Sequence, residues 1–184
     1  MYTTSEYGSG MDASIIWEES QGVGHSYGYN RNEQLKDYKS SRELILMLND
    51  IVSRGGNFLL DIGPDDHGKI PPIMQERLLQ IGAWLQENGE AIYNTRSMEH
   101  YKELYWFFTQ SKDKKTGYVL VPKDTILTQL VWTENLPKKG SKLIFVPTGE
   151  KMRYHIHDGV VAVEIPQSIR MGQADNPVWV FKFE

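Results

Sequence analysis

The chain has 184 residues, 40% of them hydrophobic and 24% charged, with a formal net charge of −4 and no cysteine. That length is enough to bury a core, and the mild acidity excludes the basic field that nucleic acid or an anionic membrane would require. The missing cysteines exclude disulfides, thiolate nucleophiles and cysteine-held metals, and no apolar run approaches the roughly 18 residues of a membrane span.

The first residues, Met1 to Glu6, carry neither a charged leader nor an apolar segment, so no signal peptide is expected there. Short strand-like pieces follow, and then a well-marked helix. Ser40 and Glu43 form a capping box, Leu44, Leu48, Ile51 and Val52 fall on one face with Ile45 and Met47 beside them, and Gly55-Gly56 ends the helix. Asn57 to Ile62 reads as a short strand, apolar on both faces, of the kind found in parallel sheets covered by helices. Gly63 to Gly68 is a loop. Pro72 opens a second helix with Met74, Leu78, Ile81 and Leu85 on its core face, Trp84 beside them and Asn88-Gly89 as its stop.

From about residue 98 the pattern changes to strands and turns. Apolar runs at 105–108, 117–121, 126–132, 142–146, 160–165 and 178–183 alternate with turn sequences such as Pro137-Lys-Lys-Gly140 and His157-Asp158-Gly159. This spacing predicts a small antiparallel β-sandwich. The expected organisation is therefore α/β then all-β, with residues 1–97 and 98–184 as separate domains. Helix, strand, loop and helix make a βα pattern of the kind that builds barrels and doubly wound sheets, whose functional loops leave the carboxyl ends of strands. A closed (β/α)8 barrel needs about 250 residues, so the first half supplies only part of one. An unclosed parallel sheet exposes edges and an apolar face, which implies that the first half docks with a missing partner segment, self-associates, or was cut from a longer protein.

Several separated motifs then occur in order: Trp17-Glu18, Ser26-Tyr27-Gly28-Tyr29-Asn30, Tyr38-Lys39-Ser40, and Val52-Ser-Arg-Gly-Gly-Asn-Phe-Leu-Leu-Asp-Ile-Gly-Pro64. Asp66-His-Gly-Lys-Ile-Pro71, Glu76-Arg-Leu78 and Asn88-Gly-Glu-Ala-Ile-Tyr93 follow. Over residues 1–96 these resemble the end of the catalytic barrel of the family 29 α-L-fucosidases. The resemblance implies a partial (β/α)8 barrel and a retaining exo-glycosidase that removes terminal α-linked L-fucose. Such an enzyme uses two carboxyl groups roughly 5–5.5 Å apart, a nucleophile and a general acid/base. The family's nucleophile is an aspartate on an earlier barrel strand, and nothing in this sequence matches that strand.

The resemblance assigns the acid/base to Glu6, in Thr4-Ser-Glu-Tyr-Gly8. Glu18 is the runner-up, as acid/base or as a structural carboxylate. Tyr27 stands where relatives carry Trp or Phe and is expected to pack on the sugar; His25 and Trp17 complete the expected substrate contacts. Asp61 departs from the family, where asparagine is usual, exchanging two donors for a charge. Asp65, Asp66 and His67 match no standard metal spacing, and neither a metal nor a cofactor is expected. His155 and His157 alternate on a strand, as a ligand pair or, more simply, as a solvated face.

Three readings follow. In the first, the chain is part of an α-L-fucosidase that needs its other barrel strands for activity. The second is a non-catalytic module that binds fucosylated glycan through exposed aromatics, with Trp106, Trp132 and Trp179 as candidates. In the third, copies associate through open barrel edges, and Glu18, Asp61 or Asp65 replaces the absent nucleophile.

Overall fold

The structure is a computed structural model. It describes residues 2–6, 15–123, 127–173 and 175–184, the first of these stretches through its backbone alone. It is mostly β, with few helices, and divides into two compact units, Met1–Gln86 and Glu87–Glu184.

The first unit holds a three-stranded parallel sheet of β1 (Tyr2–Glu6), β2 (Ile16–Gly22) and β3 (Asn57–Asp61), in that order. Helix α1 (Ser41–Ser53) precedes β3, and α2 (Pro72–Asn88) follows it. The Ser40 hydroxyl accepts from the Glu43 amide at 3.2 Å, while the Glu43 carboxylate accepts from the Ser40 amide at 2.7 Å. Two amides that the first turn would leave unpaired are thereby satisfied. The buried stripe of α1 is Leu44, Ile45, Asn49, Ile51 and Ser53. It contains two polar residues because Asn49 donates to the Ile45 carbonyl at 2.6 Å and Ser53 to the Asp50 carbonyl at 2.8 Å. On α2, Met74, Ile81 and Trp84 are buried.

The second unit has two antiparallel sheets. The larger runs β4 (Thr95–Glu103), β5 (Trp106–Ser111), β6 (Gly117–Pro122), β12 (Val178–Phe183), β8 (Ile144–Phe145), β9 (Glu150–Lys151). The smaller runs β10 (Tyr154–His157), β11 (Val160–Glu164), β7 (Gln129–Trp132). A short helix, α3 (Gln167–Gly172), lies between β11 and β12. Both sheets contribute to one aromatic core that includes Phe108, Trp132, Phe145 and Phe181. The boundary expected near residues 97 and 98 falls inside β4, which pairs along β5 and so belongs to the second unit.

One expectation is corrected here. Trp106, Trp132 and Trp179 are only 9%, 1% and 0% exposed. Trp106 Nε1 donates to the Val131 carbonyl at 2.9 Å, and Trp179 Nε1 to the Gln173 carbonyl at 3.2 Å. Trp132 packs with Phe108 and Phe183, at centroid distances of 6.5 and 6.2 Å. These rings face inward, because burying so much aromatic area is worth far more than exposing it. None of the three is available to a glycan.

Candidate functional site at the carboxyl ends of the parallel strands

Successive strand residues point to opposite faces, and on β2 the two faces differ in kind. Trp17, Glu19 and Gln21 share the face beside the end of α1. Trp17 is 0% exposed and its ring lies against Gly56, where an added Cβ would sit 2.5 Å from the ring. The Arg54 guanidinium covers the ring at 4.8 Å from its centroid. Arg54 also reaches Glu19 Oε2 at 3.3 Å and Asp50 Oδ2 at 2.8 Å, and Gln21 donates to Glu19 Oε1 at 3.0 Å. This buried ion pair with its extra hydrogen bonds fixes β2 to the helix. Trp17, expected as a substrate contact, is enclosed in this packing and has no face left for a sugar ring.

Ile16, Glu18 and Ser20 point to the other face, which the ladder to β3 extends through Asn57, Leu59 and Asp61. Ile16 and Leu59 are exposed there, at 67% and 46%. Glu18 is half-buried and in register with Thr4, and among the described residues its carboxylate has no hydrogen bond or ion pair. Glu6 is the last residue of β1, in register with Ser20, two residues nearer the carboxyl end of the sheet than Glu18. Its side chain, like the Tyr7 beside it, lies outside what the structure describes.

The segment after β2 folds back over the strand ends. An added Cβ on Gly22 would meet the Ser26 and Tyr27 carbonyls at 2.9 Å, and one on Gly63 would overlap the backbone of Tyr29. The segment's return is held by the amides of His25 and Lys39, which donate to the Asp37 and Val23 carbonyls at 3.1 and 2.9 Å. Tyr27 is half-buried, and its hydroxyl is hydrogen-bonded to the Ser20 hydroxyl. His25 is exposed, with Nδ1 3.9 Å from Asp37 Oδ1. The structure thus brings Tyr27 to the level of Ser20 and, along the ladder, of Glu6, and it leaves Glu18 one pleat lower.

Sequence reasoning missed the residues that shape this loop. Lys39 Nζ donates to the Gly22 carbonyl at 2.7 Å. Burial holds its ammonium below the usual lysine range, against the opposing charges of Glu43 and Glu33. Tyr38 is pushed upward, first by burial and then by the Glu33 carboxylate. Glu33 Oε1 accepts from the Ser26 amide at 2.5 Å. The available signal was the glycine at 22 and 63, where the backbone passes too closely for a side chain, and at 24, where the Glu33 carboxylate does.

The Asp65 carboxylate accepts from the amides of His67 and Lys69 at 2.9 and 2.8 Å, shaping the loop, and Asp66 pairs with Arg31 at 3.0 Å on the surface. Among the described residues, no three or more His, Asp or Glu side chains are placed to hold a metal ion. His155 and His157 are both exposed on β10, opposite Ala162 and Val160.

A family model described as α-L-fucosidase matches residues 1–90. That stretch is similar to the α-L-fucosidase family, and the matches support a carboxy-terminal part of such a protein. It is 52% identical over 79 residues to the α-L-fucosidase of Dictyostelium discoideum, covering 43% of this chain and 17% of that protein. It is 38% identical over 127 residues to plasma α-L-fucosidase of Rattus norvegicus, covering 66% of this chain and 28% of that protein. The crystal structure of Thermotoga maritima α-fucosidase with a mechanism-based inhibitor superposes on 99% of this chain and 42% of its own, with a TM-score of 0.85 and 30% identity. The chain therefore spans less than half the length of each of these relatives.

Proposed function

We propose that this chain supplies the late strands of a (β/α)8 barrel, followed by an antiparallel β-sandwich, in a retaining glycosidase that hydrolyses terminal α-L-fucose. The observation that carries the reading is the loop after β2. It folds over the carboxyl ends of the parallel strands, where β/α enzymes keep their chemistry, and sets Tyr27 level with Glu6. Glu6 is the acid/base: it protonates the leaving oxygen, then takes a proton from the water that releases the sugar. Its place at the strand end favours it over Glu18, which sits lower in the ladder. Tyr27 packs on the sugar and His25 hydrogen-bonds a hydroxyl, while Trp17 supports β2 from behind.

The nucleophile comes from a complementary barrel segment. Such a segment also covers Ile16 and Leu59, apolar side chains otherwise left on an open sheet face. A second copy of the chain is the competing occupant of that face, with Glu18, Asp61 or Asp65 then serving as nucleophile.

The test is release of 4-nitrophenol from 4-nitrophenyl α-L-fucoside. The chain alone should give no turnover approaching that of an intact fucosidase. Combined with the amino-terminal segment of a related fucosidase, it should turn over, and Glu6→Gln should lower the rate by about 10²-fold or more, the usual worth of a positioned acid/base. Activity that survives Glu6→Gln and vanishes in Glu18→Gln would reassign the role. Full activity of the chain alone, with a mass of two or more copies, would favour the composite site.

A further inference from the structure

Beneath the loop that carries His25 and Tyr27 lies a carboxylate to which neither the sequence motifs nor the proposed chemistry gives a role. Glu33 belongs to the returning limb of that loop and reaches back across it. Oε1 accepts from the Ser26 amide at 2.5 Å, a short, charge-assisted bond to the backbone of the residue preceding Tyr27. Oε2 is buried. The carboxylate lies so close over Gly24 that an added Cβ there would overlap it. Gly24 forms an isolated antiparallel bridge with Tyr38, so Glu33 is enclosed by both limbs of the loop. Asn30 Nδ2 donates to the Ser26 hydroxyl at 2.9 Å, which fixes the same residue from its other side.

We infer that Glu33 is a positioning residue: by gripping the Ser26 amide across Gly24, it sets the direction in which the next residue, Tyr27, leaves the loop and reaches the Ser20 hydroxyl. The functional half of this inference rests on reading Tyr27 as a sugar contact. A free loop of this length samples many backbone conformations, and ordering each residue costs conformational entropy. One carboxylate bond at the centre of the loop removes much of that freedom before any sugar arrives. The groups facing Glu33 fit the role. Tyr38 stands beside it, and the Lys39 ammonium supplies an opposing charge from the strand-end side.

The experiment is residue-resolved amide exchange and side-chain NMR on the full 184-residue chain, with Glu33→Ala and Glu33→Gln. In Glu33→Ala the Ser26 amide should lose about tenfold or more of its protection, the scale of one hydrogen bond to a charged group. The contact between the Tyr27 ring and Ser20 should weaken with it, while amides of α1 such as Leu48 and Ile51 keep theirs. Glu33→Gln retains an acceptor oxygen and should recover most of the Tyr27–Ser20 contact. Unchanged protection at Ser26 would overturn the inference. So would a loss spread equally over α1, or a Gln variant no better than Ala, since either result would make Glu33 a general contributor to stability. None of these readouts involves sugar. Failure of the fucoside assay would remove the sugar role of Tyr27 and leave the positioning result to be judged alone.

Discussion

The two units use different physics, and the difference explains where a site can be built. The second is held by an aromatic core to which both of its sheets contribute. The first has little aromatic mass in its sheet and relies on close backbone approach and paired polar groups: Trp17 against Gly56, Glu19 with Arg54, Lys39 on the Gly22 carbonyl. Apolar burial is non-directional and tolerates some repacking. Charge-assisted hydrogen bonds in a partly buried setting hold atoms in fixed directions, and they are costly when one partner is lost. On the proposed reading, the unit that must position side chains is the one built from directional contacts.

The comparison is broken most forcefully by Trp132→Ala. Truncating this buried ring should cost roughly 3–5 kcal/mol in urea unfolding followed by hydrogen exchange. Protection should fall in β6 and β12 and hold in α1. An equal fall in α1 would mean that the two units share one cooperative core. Arg54→Ala comes next, at about 3 kcal/mol, because it leaves the Glu19 carboxylate buried without its partner. Here exchange should rise in β2 and α1 and stay level in the second unit. If Glu19→Gln in the Arg54→Ala background recovers most of the loss, the cost was the stranded charge rather than the lost packing over Trp17.

Ser40→Ala sharpens the comparison on a smaller scale. It removes one side of the capping box and should cost about 1 kcal/mol, read as fraying of the first turn of α1. It also marks what sequence reveals. The box was legible because Ser40 and Glu43 are three residues apart and satisfy each other locally. β1 and β2 were legible only as short strand-like pieces without bounds, since the polar runs Thr3-Thr-Ser-Glu6 and Glu18-Glu-Ser-Gln21 gain their extent only when a distant strand pairs with them. β4 was missed for a related reason: Thr95–Glu103 is polar on both faces and changes register against β5 between Ser97 and Lys102. Strands β5 to β8, β11 and β12 were read from their apolar runs, while the two-residue β9 was not, and neither was the direction of the tryptophans. A run such as Trp106-Phe-Phe108 has no polar alternation to show which face is inward. In the first unit, the motif order singled out the segment that folds over the strand ends, with Tyr27 in it. Glu33 and Lys39 stayed hidden because a charged residue in a polar loop looks solvated until the fold folds that loop back over it.

The smallest expected effect is read as a slope at alkaline pH. Tyr118 on β6 is pushed up to about 12, first by burial and then by the charge of Glu90. Its unfolded value is the ordinary 10, so between pH 10 and 12 the folded chain keeps a proton that the unfolded chain releases. Stability contributed by this group is complete below pH 10 and is lost as pH rises through 12. Tyr118→Phe should remove that slope and lower stability near pH 7 only by what its hydrogen bond to Glu90 contributes, as measured by unfolding midpoints at a series of pH values. Among the described residues of the first unit, Lys39 and Tyr38 are the groups shifted in the alkaline range, and they oppose each other. Lys39, held below 10.5 by burial, gives stability that rises with pH up to that value; Tyr38, held above 10, gives stability that falls beyond it. Alkaline loss should therefore begin in the second unit, with exchange rising in β6 and β12 before α1. The reverse order would mean that the charges beneath the loop, and not the aromatic core, set the alkaline limit of the fold.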